Sequence, residues 1–203
     1  KNYPYRKIIA IYCEGDSEKA YFEMIKRKYH GANVHVNKAQ DMKIEIDSEG
    51  LSGISLLKKA LVKSQRLSKK QRAEQVYVVF DRDYLSTADL EQCQKFAKDH
   101  RIGIIFSCID FEIWVLLHFE PVTKRYSAEQ LNNKLSGADY FGTNYPRFKG
   151  NDYDDYLIDR IKQALLNAKR LEKNYCEPWY LNNPYTNVNA AIPAIFGVDE
   201  SKP

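Results

Sequence analysis

QVYVVF at residues 75–80 is, after its first residue, an unbroken apolar run, and it ends in Asp81-Arg82-Asp83. A short run of this kind without polar alternation reads as a strand buried on both faces, which is the position of a central strand in a parallel sheet. Upstream, KIIAIY at 7–12 is a second β-branched run. It stops at Cys13-Glu14-Gly15-Asp16, and KAYFEMIKRKY at 19–29 then carries apolar residues at helical spacing. Strand, polar turn and helix follow one another, and Asp16 or Ser17 can cap the helix, whose first N–H groups favour anions. VHV at 34–36 and IEI at 44–46 both qualify as the next strand, one of them pairing with the first. Gly50 and Gly53 precede a helical stripe over 54–67.

Downstream of the central run, the pattern predicts a helix over 86–99, a strand over 102–106 and a helix over 111–118 that starts just after Asp110. Strands alternating with helices imply an α/β core with a central, mostly parallel sheet of about four strands flanked by helices. From Pro121 the pattern changes to a short helix over 128–135, a loop over 137–152 and a long helix over 156–172. YLNNPYTNVN at 180–189 is too polar and turn-rich for core, and Pro184 forbids a regular helix through it. Residues 1–120 are therefore expected to form the core, with 121–203 a helical and loop extension packed on it in one compact unit.

The 203 residues are 44% hydrophobic and 29% charged, a composition that excludes disorder along the whole chain. Lys and Arg number 31 against 27 Asp and Glu, a net charge of +4 that permits a polyanionic partner without demanding one. Cys13, Cys93, Cys108 and Cys176 form no CxxC pair, which suggests reduced thiols and a cytoplasmic protein rather than a disulfide framework or zinc knuckle. The apolar runs are far shorter than the roughly 20 residues a bilayer crossing needs, so no membrane partner is expected.

Parallel sheets bind ligands beyond the carboxyl ends of their strands. Glu14 follows the first strand, Asp81 and Asp83 end the central one, and Glu112 follows the fourth, so four carboxylates are expected at one rim. Asp81 and Asp83, two residues apart on extended chain, project to the same side while Arg82 points away. Carboxylates that close together repel, and an all-oxygen set suits Mg2+ or Mn2+, ions that also recruit phosphate oxygens. The implied substrate is a phosphate ester. Each residue also has a plain structural reading. Glu14, Asp81 and Asp83 are turn formers, and Glu112 is favoured by the helix dipole alone. His118, among the apolar residues of WVLLHF, reads as a hydrogen-bonded core histidine. No GxxxxGK[ST] phosphate loop occurs, which argues against a small-nucleotide phosphotransferase.

IYCEGDSEKAYF at 11–22 with VVFDRD at 78–83 resembles the toprim signature, a Glu after the first strand and a later DxD. CEGDSEKAYF, SCIDFEIWVLLHF at 107–119, NAKRL at 167–171 and NPYTNVN at 183–189 occur in the order shown by the RloB-like family of bacterial defence-associated proteins. That resemblance covers residues 8–195. It implies a toprim-like fold, a metal-dependent nuclease acting on DNA or RNA, tRNA included, and a role in antiphage defence beside an ATPase of the ABC or AAA type. Its alternative is a toprim-like subunit that has lost catalysis and regulates or binds for such an ATPase. Under the first reading Glu14 holds metal or shuttles a proton, Asp81 and Asp83 hold a cation, and Glu112 is a ligand for a second. Lys149 and Arg147 are candidate phosphate contacts, Lys149 the better placed because it lies in a Tyr-rich loop. Asp110 and Ser107 can assist by water-mediated contact. Asn183, Thr186 and Asn187 either contact a phosphate or base or close the fold against the sheet.

Overall fold

The computed structural model describes residues 7–30, 42–66 and 73–197. In chain order they form β1 (Lys7–Cys13), α1 (Asp16–His30), β2 (Met42–Ser48), α2 (Gly53–Arg66), β3 (Ala73–Asp81), α3 (Thr87–His100), β4 (Ile102–Cys108) and α4 (Glu112–Leu117). The remainder is α5 (Ala128–Leu135), α6 (Tyr145–Phe148), α7 (Asp154–Leu157), α8 (Ile161–Glu172), β5 (Tyr185–Thr186) and α9 (Val188–Phe196). The sheet order is β2-β1-β3-β4-β5, with the first four strands parallel and β5 antiparallel at the edge. The fold is α/β and toprim-like. Of the two candidate second strands, 44–46 lies in β2, and 34–36 falls outside the described residues.

The central strand is apolar without a break because both of its faces are covered. Val79 points into one hydrophobic cluster, with Ile9, Ile11 and Cys13 of β1 and Ile105 of β4 beside it. Val78 and Phe80 point into the other, with Ala10, Tyr12, Ile102, Phe106 and Cys108. This is the two-residue periodicity of extended chain. Helices α1, α4, α5, α8 and α9 cover the first face and α2 and α3 the second. Among the described residues no helix is long and apolar enough to cross a membrane.

Three sequence expectations need correction. The sheet has five strands rather than about four, and the extra strand comes from the segment judged too polar for core. Tyr180, Asn182, Tyr185 and Thr186 are buried there, with the Tyr180 hydroxyl paired to Glu91, Thr186 to Ser107 and Tyr175, and the Asn182 amide to its own loop. Asn182 accepts from Cys176 N and donates to the carbonyls of Cys176 and Trp179. Burial of hydrogen-bonded amides carries little penalty. The loop over 137–152 contains α6, capped by the Asn144 side chain. The long helix over 156–172 is interrupted at Ile158–Arg160, where the Ile158 carbonyl accepts from Lys28 Nζ at 2.8 Å.

His118 is a core residue. It is fully buried, its Nδ1 donating to the Trp114 carbonyl at 3.0 Å, which leaves Nε2 to accept from the Tyr21 hydroxyl at 3.2 Å. Burial lowers its pKa from 6.5 to about 4. A histidine whose folded pKa is depressed withdraws stability as pH falls, because the unfolded chain takes up the proton first. The expected loss is about 3 kcal/mol between about pH 6.5 and about pH 4. The difference in unfolding free energy between the wild type and His118→Gln, followed across that window, isolates this histidine from the carboxylates. A constant difference contradicts the assignment.

Candidate metal centre

The site is built where β1, β3 and β4 end. Glu14 N donates to Val79 O at 2.9 Å, extending the β1–β3 ladder by one residue and bringing Glu14 level with the end of β3. Its Oε2 accepts from Asp81 N at 3.2 Å. Gly15 N donates to Glu18 Oε2 at 3.1 Å, which folds the first turn of α1 back over the strand end. Asp81 closes β3, and its Oδ2 accepts from Phe111 N at 2.9 Å, so the carboxylate itself positions the start of α4. Beyond it, Arg82 N and Asp83 N donate to Ser107 O and Ile109 O, and Asp83 takes the left-handed backbone with φ of 38°. The Arg82 guanidinium turns the other way and donates to Tyr180 O at 3.0 Å, as the alternation of extended chain requires.

The loop after α5 supplies the only cation among the described residues that line the site. Gly150, at φ of +82°, runs against the first residues of α1, where an added Cβ would stand 3.2 Å from Asp16 Cβ. Its neighbour Lys149 places Nζ 3.0 Å from Glu112 Oε1. That same oxygen accepts from the Tyr145 hydroxyl at 3.2 Å, and Tyr145 and Tyr153 share a hydroxyl contact of 3.1 Å.

These residues enclose a cavity of about 210 Å³ lined by Glu14, Asp16, Glu18, Asp81, Asp83, Asp110, Glu112 and Lys149. Seven carboxyl groups thus face one ammonium. Burial holds the Asp81 carboxyl well above the ordinary carboxylate range, and the charges of Glu18, Glu112 and Asp110 add to it. Burial, then Glu112, pushes Asp110 up to about 8 against the pull of Lys149. Glu18 rises to about 7 through burial and the charges of Glu112 and Glu14. Glu14 is raised by burial and by Asp83, with the Asp81 N–H opposing. Burial disfavours the Lys149 ammonium, but Glu112, Asp110 and Asp81 outweigh it and raise its pKa.

The donor set fits a hard divalent cation. All the lining acids are oxygen donors, and Asp81 Oδ1 and Asp110 Oδ1 are buried with no hydrogen-bond partner. Such orphaned oxygens are costly unless a proton or a cation reaches them. The side chains stand around the cavity rather than closed on one point. Among the described residues no group of three or more His, Cys, Asp or Glu side chains is arranged so that it could hold a metal ion as it stands.

Glu14, Asp81, Asp83, Glu112 and Lys149 are therefore brought together, and the other sequence candidates are not. Arg147 is exposed on α6 and outside the cavity wall. Ser107 and Thr186 share a hydroxyl contact of 3.2 Å that ties β4 to β5. The Asn187 amide accepts from Phe106 N and donates to Ile104 O, closing the sheet edge. Asn183 lines a different cavity, beside Arg125. Three members of the acidic site carried less sequence signal. Asp16 reads as a helix cap, Glu18 as an ordinary first-turn acid that suits the dipole, and Asp110 as a residue that assists only through water. The signal available for Glu18 was its place four residues after Glu14, one helical turn along the same approach to the rim.

Comparison with curated proteins and with solved structures gave no match. A family model described as RloB-like protein matches residues 9–195, from the third residue of β1 to the penultimate residue of α9. The chain belongs to the RloB-like family.

Proposed function

We propose that this protein is a Mg2+- or Mn2+-dependent nuclease that hydrolyses phosphodiester bonds in DNA or RNA, with tRNA among its candidate substrates. Its setting would be cytoplasmic antiphage defence, beside an ATPase of the ABC or AAA type. The observation that carries the reading is the convergence of acids from three strand ends on one cavity with two orphaned carboxylate oxygens. Asp81, Asp83 and Glu112 would hold cations, with Asp110 and Glu14 within the same wall. When bound, such an ion supplies positive charge to phosphoryl oxygens and lowers the pKa of a coordinated water.

The chain's own groups do the rest. Glu14 is oriented by the Asp81 N–H and less buried than Asp81 or Glu112, which supports a role in which its carboxylate takes a proton from the attacking water and returns one to the leaving oxygen. Lys149, with 34% of its side chain exposed, presents N–H donors to a phosphate arriving at the rim. Helix α4 fixes Glu112 through its buried apolar residues. The test is the double variant Asp81→Asn with Asp83→Asn, assayed on DNA and tRNA with Mg2+ and with Mn2+. Cleavage should fall to background, and undiminished metal-dependent cleavage would overturn the assignment.

A second reading has one observation in its favour. Lys149 already neutralises Glu112, as an ammonium does in a carboxylate site that has given up its metal. On that reading the chain is a non-catalytic toprim-like subunit that binds or regulates for the ATPase.

A further inference from the structure

Lys149 reaches the acidic cavity from a backbone fastened on both sides. Its N–H donates to Tyr145 O at 2.9 Å, which closes α6, and Gly150 behind it lies against Asp16 of α1. Tyr145 is fully buried, with its ring 4.8 Å from that of Phe141. Beyond Gly150, Arg27 of α1 pairs with Asp152 and with Asp154, each at 2.9 Å.

The carboxylate that the ammonium meets is already engaged. Glu112 is 1% exposed, and its Oε1 takes both Lys149 Nζ at 3.0 Å and the Tyr145 hydroxyl at 3.2 Å. Tyr145 therefore holds the glutamate with its side chain and the lysine with its carbonyl, so both partners of the pair share one buried support. Asp83, on the opposite wall, is in the reverse condition. It is exposed, and its carboxylate has no hydrogen bond or ion pair with another described residue.

These two parts of the site adjoin. Asp81 Oδ2 accepts from Phe111 N at 2.9 Å, and Glu112 is the next residue. Strands β3 and β4 pair up to Asp81 and Ser107, and neighbouring strands run roughly 4.8 Å apart. The ions of a two-metal clamp on a phosphoryl group stand roughly 3.5–4 Å apart, a separation of the same scale. An ammonium on Glu112 beside a divalent ion on Asp81 and Asp83 supplies the same pair of positive charges. Lysine suits that place because its ammonium is a compact point charge with three donors for phosphate oxygens.

We infer that this is a one-metal site in which the Lys149 ammonium takes the place of a second divalent ion. The inference rests on the nuclease reading and narrows it: of the cations assigned to Asp81, Asp83 and Glu112, the one on Glu112 belongs to the chain itself. Lys149 is then a catalytic residue, its N–H groups directed to the phosphoryl oxygens, and Tyr145 is the residue that positions it against Glu112.

Counting bound Mn2+ on the whole protein, by titration calorimetry and by the electron paramagnetic resonance signal of the free ion, tests this without any turnover. The wild type should bind one Mn2+ per chain. Lys149→Met, which removes the ammonium and keeps an unbranched side chain, should bind two. Adding Glu112→Gln to that variant should return the count to one, and Lys149→Arg, with its charge kept, should stay at one. A melt in EDTA identifies any variant that has not folded, and the wild-type count tests the inference by itself. Two ions in the wild type, or one in folded Lys149→Met, would overturn the inference and leave the nuclease reading standing. No uptake by the wild type would overturn both, and one ion gained by Lys149→Met in that case would give the site to the non-catalytic reading.

Discussion

Glu14→Gln is expected to slow Mg2+-dependent phosphodiester cleavage by roughly 10²–10⁴-fold, the range general acid–base groups supply. The side chain is nearly isosteric, and its amide oxygen can still accept from Asp81 N, the contact that holds Glu14 over the end of β3. Charge and proton affinity are what change. Because Glu14 adds repulsion to Glu18 and is itself raised by Asp83, removing its charge should leave the metal-free melting temperature equal to or above that of the wild type. Single-turnover cleavage beside a thermal melt in EDTA reads both quantities. A variant that cuts at the wild-type rate would remove Glu14 from the chemistry, and one that loses activity only by unfolding would make it a structural residue.

Trp114→Ala should cost about 3–5 kcal/mol, the usual price of emptying a large aromatic site in a core. Trp114 is fully buried, with the Tyr21 ring at 6.0 Å and the His118 ring at 5.2 Å, both edge-on. It sits two residues after Glu112 on a helix of six residues that is buried along its whole length. Loss of the indole removes the anchor of α4 and with it the placement of Glu112. For a chain of this size the melting temperature should fall by roughly 10 °C. Trp114→Phe should cost less, since it keeps a ring and deletes a buried Nε1 that has no hydrogen-bond partner. Chemical denaturation of both variants checks the pair, and a cost below about 1 kcal/mol for the alanine would contradict the packing described.

The centre of the fold was legible because QVYVVF carries its burial on both faces in its composition, and because Glu14, Asp81, Asp83 and Glu112 fall at strand ends that a parallel sheet must gather. The edge was not legible. In β5, two residues make a strand only because Ser107 and Cys108 are there to pair with them, and Asn187 completes the edge with side-chain bonds that local propensity does not encode. In NPYTNVN the polar Thr186 and Asn187 are spent on pairing with β4 and Tyr175 rather than on exposure. Glu18 was hidden for a different reason. An acid in the first turn of a helix is ordinary, and only the Gly15 N–H contact turns it inward over the rim. Lys149 was legible as a basic residue near the site, but its pairing with Glu112 depends on Gly150 passing close to Asp16, a contact between segments far apart in the chain.

The claim beneath all of this is that acids gathered from neighbouring strand ends hold a divalent ion. Isothermal titration of the wild-type protein with Mg2+, alone and with nucleic acid present, tests it most directly. The account predicts saturable uptake that is abolished in the Asp81→Asn, Asp83→Asn double variant. Absence of any uptake by the wild type, even with nucleic acid bound, would contradict it and leave the acidic cavity to the non-catalytic reading.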